Sequence, residues 1–273
     1  NIARSHKAFG INAGFRIRRS FISFGFYNQF YGLWQYVSTN DLVQLIKANV
    51  LAMVGCICAL HLLGWSSFPH IKDRVVLVTG AGGSIGSEIC RQVASYESKE
   101  ILLLDHFEHD VYFLSLELKN QYRDLRVTTI IGDIRDVGLL KNSFSKFRPQ
   151  VVFHAAAHKH VPLMEENPLA AVKNNIFGTR NVIYASSHYG VERFVLISTD
   201  KAVNPINVMG MSKRVAEMIL QCRTNRSRTK YMAVRFGNVL GSAGSVVPLF
   251  KRQIENGGPI TITHPDVKRY FMS

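Results

Sequence analysis

Beyond residue 73 the chain alternates short apolar runs with longer amphipathic stretches. The runs are RVVLVT, EILLLD, RVTTIIGD, QVVFHA, RFVLIS and KYMAVRF. Their apolar positions are consecutive, as in strands buried on both faces of a sheet. Between them, apolar residues recur at helical spacing. Six such runs joined by helices predict an α/β fold with a doubly wound parallel sheet, the nucleotide-binding architecture. No internal repeat or low-complexity tract is present.

The chain before residue 73 has a different pattern. Ala48 to Ile71 is 24 residues without Lys, Arg, Asp or Glu, and roughly 20 apolar residues cross a bilayer as a helix. Trp65 near one end fits an interfacial belt. Residues 48–71 are therefore expected to span a membrane. The competing reading is a buried helix, with Asn49 and His61 in its favour. Residues 14–38 mix Arg16, Arg18 and Arg19 with Phe, Tyr and Trp, which suits a headgroup interface; a partly disordered basic leader is the alternative. The apolar run lies too far from the N-terminus for a secretory signal. The expected division is a leader with anchor over 1–72 and a catalytic unit over 73–273.

Charge narrows the partners. Lys and Arg total 33 against 19 Asp and Glu, a net +14, which attracts phosphates, nucleotides or an anionic membrane. The charge is spread along the chain without a nucleic-acid-binding motif, so nucleic acid is not expected. Cys56, Cys58, Cys90 and Cys222 lack His partners at metal-ligand spacing. They read as small apolar residues, and no metal is expected.

The segment VVLVTGAGGSIGSEIC is strand, tight turn and helix, with Gly80, Gly83 and Gly86 spaced G-x-x-G-x-x-G. Gly80 permits the turn, Gly83 lets the backbone approach a pyrophosphate, and Gly86 lets the helix pack close to the strand. Ser84 and Ile85 present N–H groups at the positive helix end. Asp105 ends the second run, 19 residues after Gly86. A carboxylate there accepts ribose hydroxyls and repels a 2′-phosphate, which favours NAD over NADP. Asp133, after the third run, is placed to meet the adenine amine.

Three further segments are more specific. They are VFHAAAHKHVPLMEENPLAAVKNNIFGTRNV, FVLISTDKAVNPINVMGMSKRVAEMI and VRFGNVLGSAGSVVPLFKRQIENGGPITITHPDVKRYFM. They resemble, in order, the extended short-chain dehydrogenases. Within that group they resemble the membrane-linked nucleotide-sugar 4,6-dehydratases of capsule, O-antigen and glycan synthesis. The resemblance runs from Arg74 to the end. It implies an NAD-using Rossmann enzyme that converts a UDP-activated N-acetylhexosamine to a 4-keto-6-deoxy sugar. His106, Ile134, Ala155 and Ala156 would join the glycine turn, Asp105 and Asp133 around NAD.

Loss of water across C5 and C6 of a hexose needs an acidic C5 proton, which a ketone at C4 provides. A base then takes that proton and an acid protonates the leaving C6 hydroxyl. The resemblance makes Asp200 the acid and Lys201 the base, with Thr199 bonded to the C4 oxygen and Lys213 on the nicotinamide ribose. Met209 stands four residues before Lys213, where many such enzymes carry Tyr. The resemblance includes a subgroup with Met there, so removal of the C4 hydroxyl proton falls to Thr199, Asp200 or water. Lys159, Asn175, Asn238 and Ser242 are expected at the substrate, and Asn174 and Asn175 also to brace the active-site loop.

The resemblance further implies a homo-oligomer on a bacterial inner membrane with a cytoplasmic catalytic domain. The positive-inside bias of a single span, with five basic residues in positions 1–19, would instead place that domain outside. Long family members carry more membrane helices and another nucleotide-binding-like domain, which bears on that conflict. They also continue past KRYFMS, so the substrate lobe, from about residue 237, is expected to be small and incomplete. A 4-epimerase of the same fold and a truncated NAD-binding non-enzyme are the alternatives. An epimerase needs no base at C5, so the adjacent Asp200 and Lys201 count against it.

Overall fold

All six apolar runs form strands. The computed structural model describes residues 71–224, 227–239, 246–261 and 271–272. The leader, the expected anchor apart from Ile71, and Ser242 lie outside the described residues. Among the described residues no helix is long and apolar enough to cross a membrane.

The chain runs β1 (Val75–Thr79), α1 (Ser84–Ser95), β2 (Glu100–Asp105), α2 (Glu108–Gln121), β3 (Arg126–Ile131), α3 (Val137–Phe147) and β4 (Val151–His154). Short helices α4 (Val161–Glu166) and α5 (Pro168–Ala171) lead through a π-helical segment, Val172–Gly178, into α6 (Thr179–His188). Then come β5 (Arg193–Thr199), a 3₁₀ turn (Asp200–Ala202), α7 (Val208–Thr224) and β6 (Lys230–Phe236). Beyond it are β7 (Asn238–Val239), α8 (Val246–Glu255) and β8 (Phe271–Met272). The main sheet is parallel, with order β3-β2-β1-β4-β5-β6. Beside it β7 and β8 form a two-stranded parallel ladder.

The unbroken apolar runs follow from two covered faces. Leu77, Leu102, Leu104, Val152 and Leu196 pack on one side with Phe144 and Ile183. Their strand neighbours Val76, Val78, Ile101 and Leu103 pack on the other with Cys90, Val93 and Leu114. The period-2 geometry of strands sends successive residues to opposite faces, so both sets must be apolar. At the margins this requirement relaxes: β3 and β6 carry several exposed residues where β1 and β2 carry none. Strand order reverses between β1 and β4, which opens a crevice at their carboxyl ends.

His154, at the end of β4, is fully buried between two hydroxyls. Its Nδ1 lies 2.6 Å from Thr79 Oγ1 and its Nε2 2.9 Å from Thr179 Oγ1. Burial, aided by the Lys213 charge, pushes its pKa from 6.5 down to about 3. The unfolded chain therefore binds a proton near pH 6.5 that the folded chain refuses until about pH 3. Stability falls as pH drops through that window, by about 1.4 kcal/mol per unit. Urea unfolding should show a loss of about 2 kcal/mol from this group between pH 7 and pH 5. His154→Gln should lack that component.

Candidate active site

The glycine turn is built by exclusion of side chains. Gly80 has φ +72°, and a Cβ there would lie 2.6 Å from Ala156 N. A Cβ on Gly86 would lie 1.9 Å from the Gly80 carbonyl oxygen. The turn therefore backs directly onto Ala155 and Ala156, and α1 abuts the turn. Gly83 is the N-cap of α1, where no side chain caps the helix and no acidic residue occupies the first turn. The first amides, including those of Ser84 and Ile85, thus form an anion-seeking end. A cavity of about 280 Å³ opens there, lined by Gly80, Gly83, Ser84, Ala155, His158 and Lys159 among others. It lies where the strand order reverses.

Asp105 ties the turn to β2. Its Oδ2 accepts from Gly82 N at 2.9 Å and its Oδ1 from Phe107 N at 3.1 Å. Each oxygen retains acceptor capacity for a ligand hydroxyl. His106 is exposed, with Nδ1 3.3 Å from Asp105 Oδ1 and its ring on Phe107. Asp133 is bound by Arg135, whose Nε lies 2.9 Å from both carboxylate oxygens. These hydrogen bonds hold the Asp133 carboxyl below the usual range. An adenine amine there would have to compete with that guanidinium, a partner the sequence reading missed. The Ile134 side chain is buried and lies beside Gly178, which leaves its backbone as the group that could face a cofactor.

At the end of β5 the three expected catalytic groups meet. Thr199 Oγ1 donates to Asp200 Oδ1 at 2.9 Å, and Lys201 Nζ donates to the same oxygen at 3.0 Å. The side chains of Asp200 and Lys201 are each about one-third exposed (33% and 32%), paired but reachable. Gly210 brings α7 against this turn, since a Cβ on it would lie 2.3 Å from the Lys201 carbonyl oxygen. Lys213, on the same helix, is 5% exposed and donates to the Ile197 carbonyl at 2.6 Å. Burial pushes its ammonium down to about 8, with Glu217 opposing.

Two expectations change here. Met209 is 4% exposed and packs with Met164 and Ala171, so burial gives it a packing role as well. Asn175 is fully buried and spends its amide on the protein. It accepts from His158 N and donates to His158 O and Ser212 Oγ at 2.8, 3.0 and 2.9 Å. It braces the loop bearing His158 and Lys159 and has no amide group directed to a substrate. Asn175→Ala would strand these buried partners and should cost about 1–3 kcal/mol in chemical denaturation. Lys159 is exposed on the cavity rim, and Asn238 opens β7, paired with Phe271. Glu217 and Gly210 were missed altogether.

Comparison with known proteins agrees with the fold. A family model described as polysaccharide biosynthesis protein matches residues 76–273. The "Probable polysaccharide biosynthesis protein EpsC" of Bacillus subtilis is 58% identical over 205 residues, covering 75% of this chain and 34% of its own. The capsular polysaccharide biosynthesis protein CapD of Staphylococcus aureus is 53% identical, with the same coverage of 75% and 34%. The chain thus spans about a third of the length of these relatives. A UDP-glucose 4-epimerase of Rickettsia bellii is 36% identical, covering 74% of this chain and 59% of its own.

Among solved structures, Pen from Bacillus thuringiensis has TM-score 0.69 and 37% identity, covering 74% of this chain and 64% of that one. WbmG of Bordetella bronchiseptica, solved with NAD, has TM-score 0.56 and 26% identity, covering 70% and 62%. The matched strands, glycine turn and Thr199–Lys201 turn all fall inside the shared region, and the chain belongs to the polysaccharide biosynthesis protein family of extended short-chain dehydrogenase fold.

Proposed function

We propose that the chain is the catalytic unit of an NAD-dependent UDP-N-acetylhexosamine 4,6-dehydratase that supplies a 4-keto-6-deoxy sugar to polysaccharide synthesis. The observation that carries this reading is the meeting of Thr199, Asp200 and Lys201 on one carboxylate oxygen. An epimerase has no use for a second proton-transfer pair beside its hydride site. The glycine cradle, the α1 amides and Asp105 suit a dinucleotide, and Asp105 would repel the 2′-phosphate of NADP. NAD, when bound, supplies a hydride acceptor at C4 and a donor at C6.

The chain's own residues handle the protons. Thr199 accepts the C4 hydroxyl proton and passes its own along its hydrogen bond to Asp200, which serves where Met209 cannot. Lys201 removes the C5 proton from the ketone. Asp200 then delivers its proton to the departing C6 oxygen, and water leaves. Lys201 later returns its proton to C5, so the protein's acid and base groups end as they began. Lys213 would hold the nicotinamide ribose of a bound cofactor. Lys159 and Asn238 approach the UDP-sugar, and Ser242 is assigned with them from the sequence. The apolar residues 48–71 anchor the chain to a membrane with the catalytic unit in the cytoplasm. The exposed row Met211, Val215 and Met218 on α7 favours association with a second copy.

Incubation of purified protein with NAD and UDP-N-acetylglucosamine tests the assignment. A 4-keto-6-deoxy product is expected. A C4-inverted sugar would mean an epimerase, and NAD binding without turnover would mean a non-enzyme.

A further inference from the structure

Glu217 is a carboxylate the chemistry above does not use, yet it is 2% exposed. It sits one helical turn after Lys213 on α7. Its Oε1 accepts from Ser198 Oγ at 2.6 Å, on the strand that ends in Thr199. Arg235, on β6, grips it with Nε at 2.9 Å and Nη2 at 2.6 Å. Arg214 is a third partner, at 3.1 Å. Burial would raise this carboxyl, but the hydrogen bonds from Arg235, Ser198 and Arg214 win and bring it down to about 2. It is therefore a fixed negative charge at neutral pH.

We propose that Glu217 is a positioning residue that locks three parts of the site in register. These are the Thr199–Lys201 turn through Ser198, the Lys213 helix on which it stands, and the strand leading to Asn238 through Arg235. The proposal deepens the dehydratase reading and rests on it, because that reading places proton transfer, nicotinamide ribose and sugar on these three parts. A solvated helix glutamate would serve none of these purposes and would not be enclosed by two guanidinium groups and a hydroxyl.

Glu217 also acts on Lys213, opposing the burial that lowers its ammonium. Facing α7 are the neutral His154 of β4, the Asp200–Lys201 pair after β5, Arg235 of β6, and Glu165 of α4 at the Val208 amide. On α7 itself Arg214 and Glu217 flank Lys213. Removing the Glu217 charge favours the neutral Lys213 amine, whereas removing the Arg235 charge favours the ammonium.

NAD affinity of the full chain, measured by titration calorimetry from pH 6 to 10, reads this directly. In the parent, affinity should fall as the pH rises past about 8, where Lys213 loses its proton. In Glu217→Gln the midpoint should move down by about one pH unit, as expected for one charge a helical turn away. In Arg235→Gln it should move up. In Glu217→Gln, kcat on UDP-N-acetylglucosamine should also fall about ten- to a hundredfold from misplacement. Packing loss alone would weaken both variants at every pH with the midpoint unmoved. Unmoved midpoints, or shifts of the same sign, overturn the clamp while leaving the parent's dehydratase activity intact. If Glu217→Gln does not fold, the upward shift in Arg235→Gln decides the matter. A parent that binds NAD without dehydrating the sugar overturns the dehydratase assignment, and the two midpoints still judge the clamp. A parent with no NAD affinity overturns both.

Discussion

Lys201→Met should lower the dehydration rate by about 10²- to 10⁴-fold, the usual contribution of a positioned proton-transfer group. Lys201 and Asp200 share one contact at 3.0 Å, so the two groups act as a unit. Methionine nearly preserves the length of the side chain and removes the amine. The glycine turn lies at other strands, so NAD affinity should stay within about twofold of the parent, a negligible free-energy change. The C5 hydrogen gives a second readout. In deuterated water the parent should incorporate solvent deuterium at C5 of the product, and Lys201→Met should lose that exchange together with turnover. Asp200→Asn should also lose turnover, because an amide neither takes the proton from Thr199 nor yields one at C6. Parent-like rates in both variants would remove this pair from the chemistry.

Gly86→Ala should abolish useful dinucleotide affinity, with a loss of at least about 100-fold, or about 2.7 kcal/mol. A methyl group there would meet backbone, the Gly80 oxygen at 1.9 Å and its carbonyl carbon at 2.7 Å. No side chain can rotate away, so α1 must shift from β1, at an overpacking cost of about 1–3 kcal/mol or more. The melting temperature should fall with the affinity. Gly83→Ala supplies the contrast. Its Cβ would stand 3.4 Å from the Gly80 oxygen, an ordinary contact. That variant should melt like the parent and still bind NAD more weakly, because the new methyl occupies the approach to the α1 amides. Equal melting and equal affinity in both variants would show that the turn holds no phosphate.

The sheet was legible because burial on two faces leaves a plain mark. Every strand from β1 to β6 falls on the apolar run that predicted it, and the glycine spacing marked the turn between β1 and α1. The Thr199–Asp200–Lys201 triplet stood out only through family resemblance, since Thr-Asp-Lys alone is an ordinary polar strand end. Polar residues whose partners are distant in sequence were not legible in full. Asn175 was expected to brace the loop, but its burial depends on His158 and Ser212, the latter 37 residues away. Glu217, in the string KRVAEMI, looks like any exposed helix glutamate until Arg235 arrives from β6. Met209 was noted for the proton chemistry it lacks, whereas its packing against Met164 needed the fold. The π-helical segment Val172–Gly178 has the composition of a regular helix and gave no separate sign.

Gly210 has one more implication, for motion. With α7 pressed on the Lys201 carbonyl and no side chain as a spacer, the Thr199–Lys201 turn and the Lys213 helix are held together without room for sliding. On the proposed chemistry, such a block would not open to admit a sugar nucleotide. Entry and exit would then fall to chain outside it, and release rather than bond breaking would set the turnover rate.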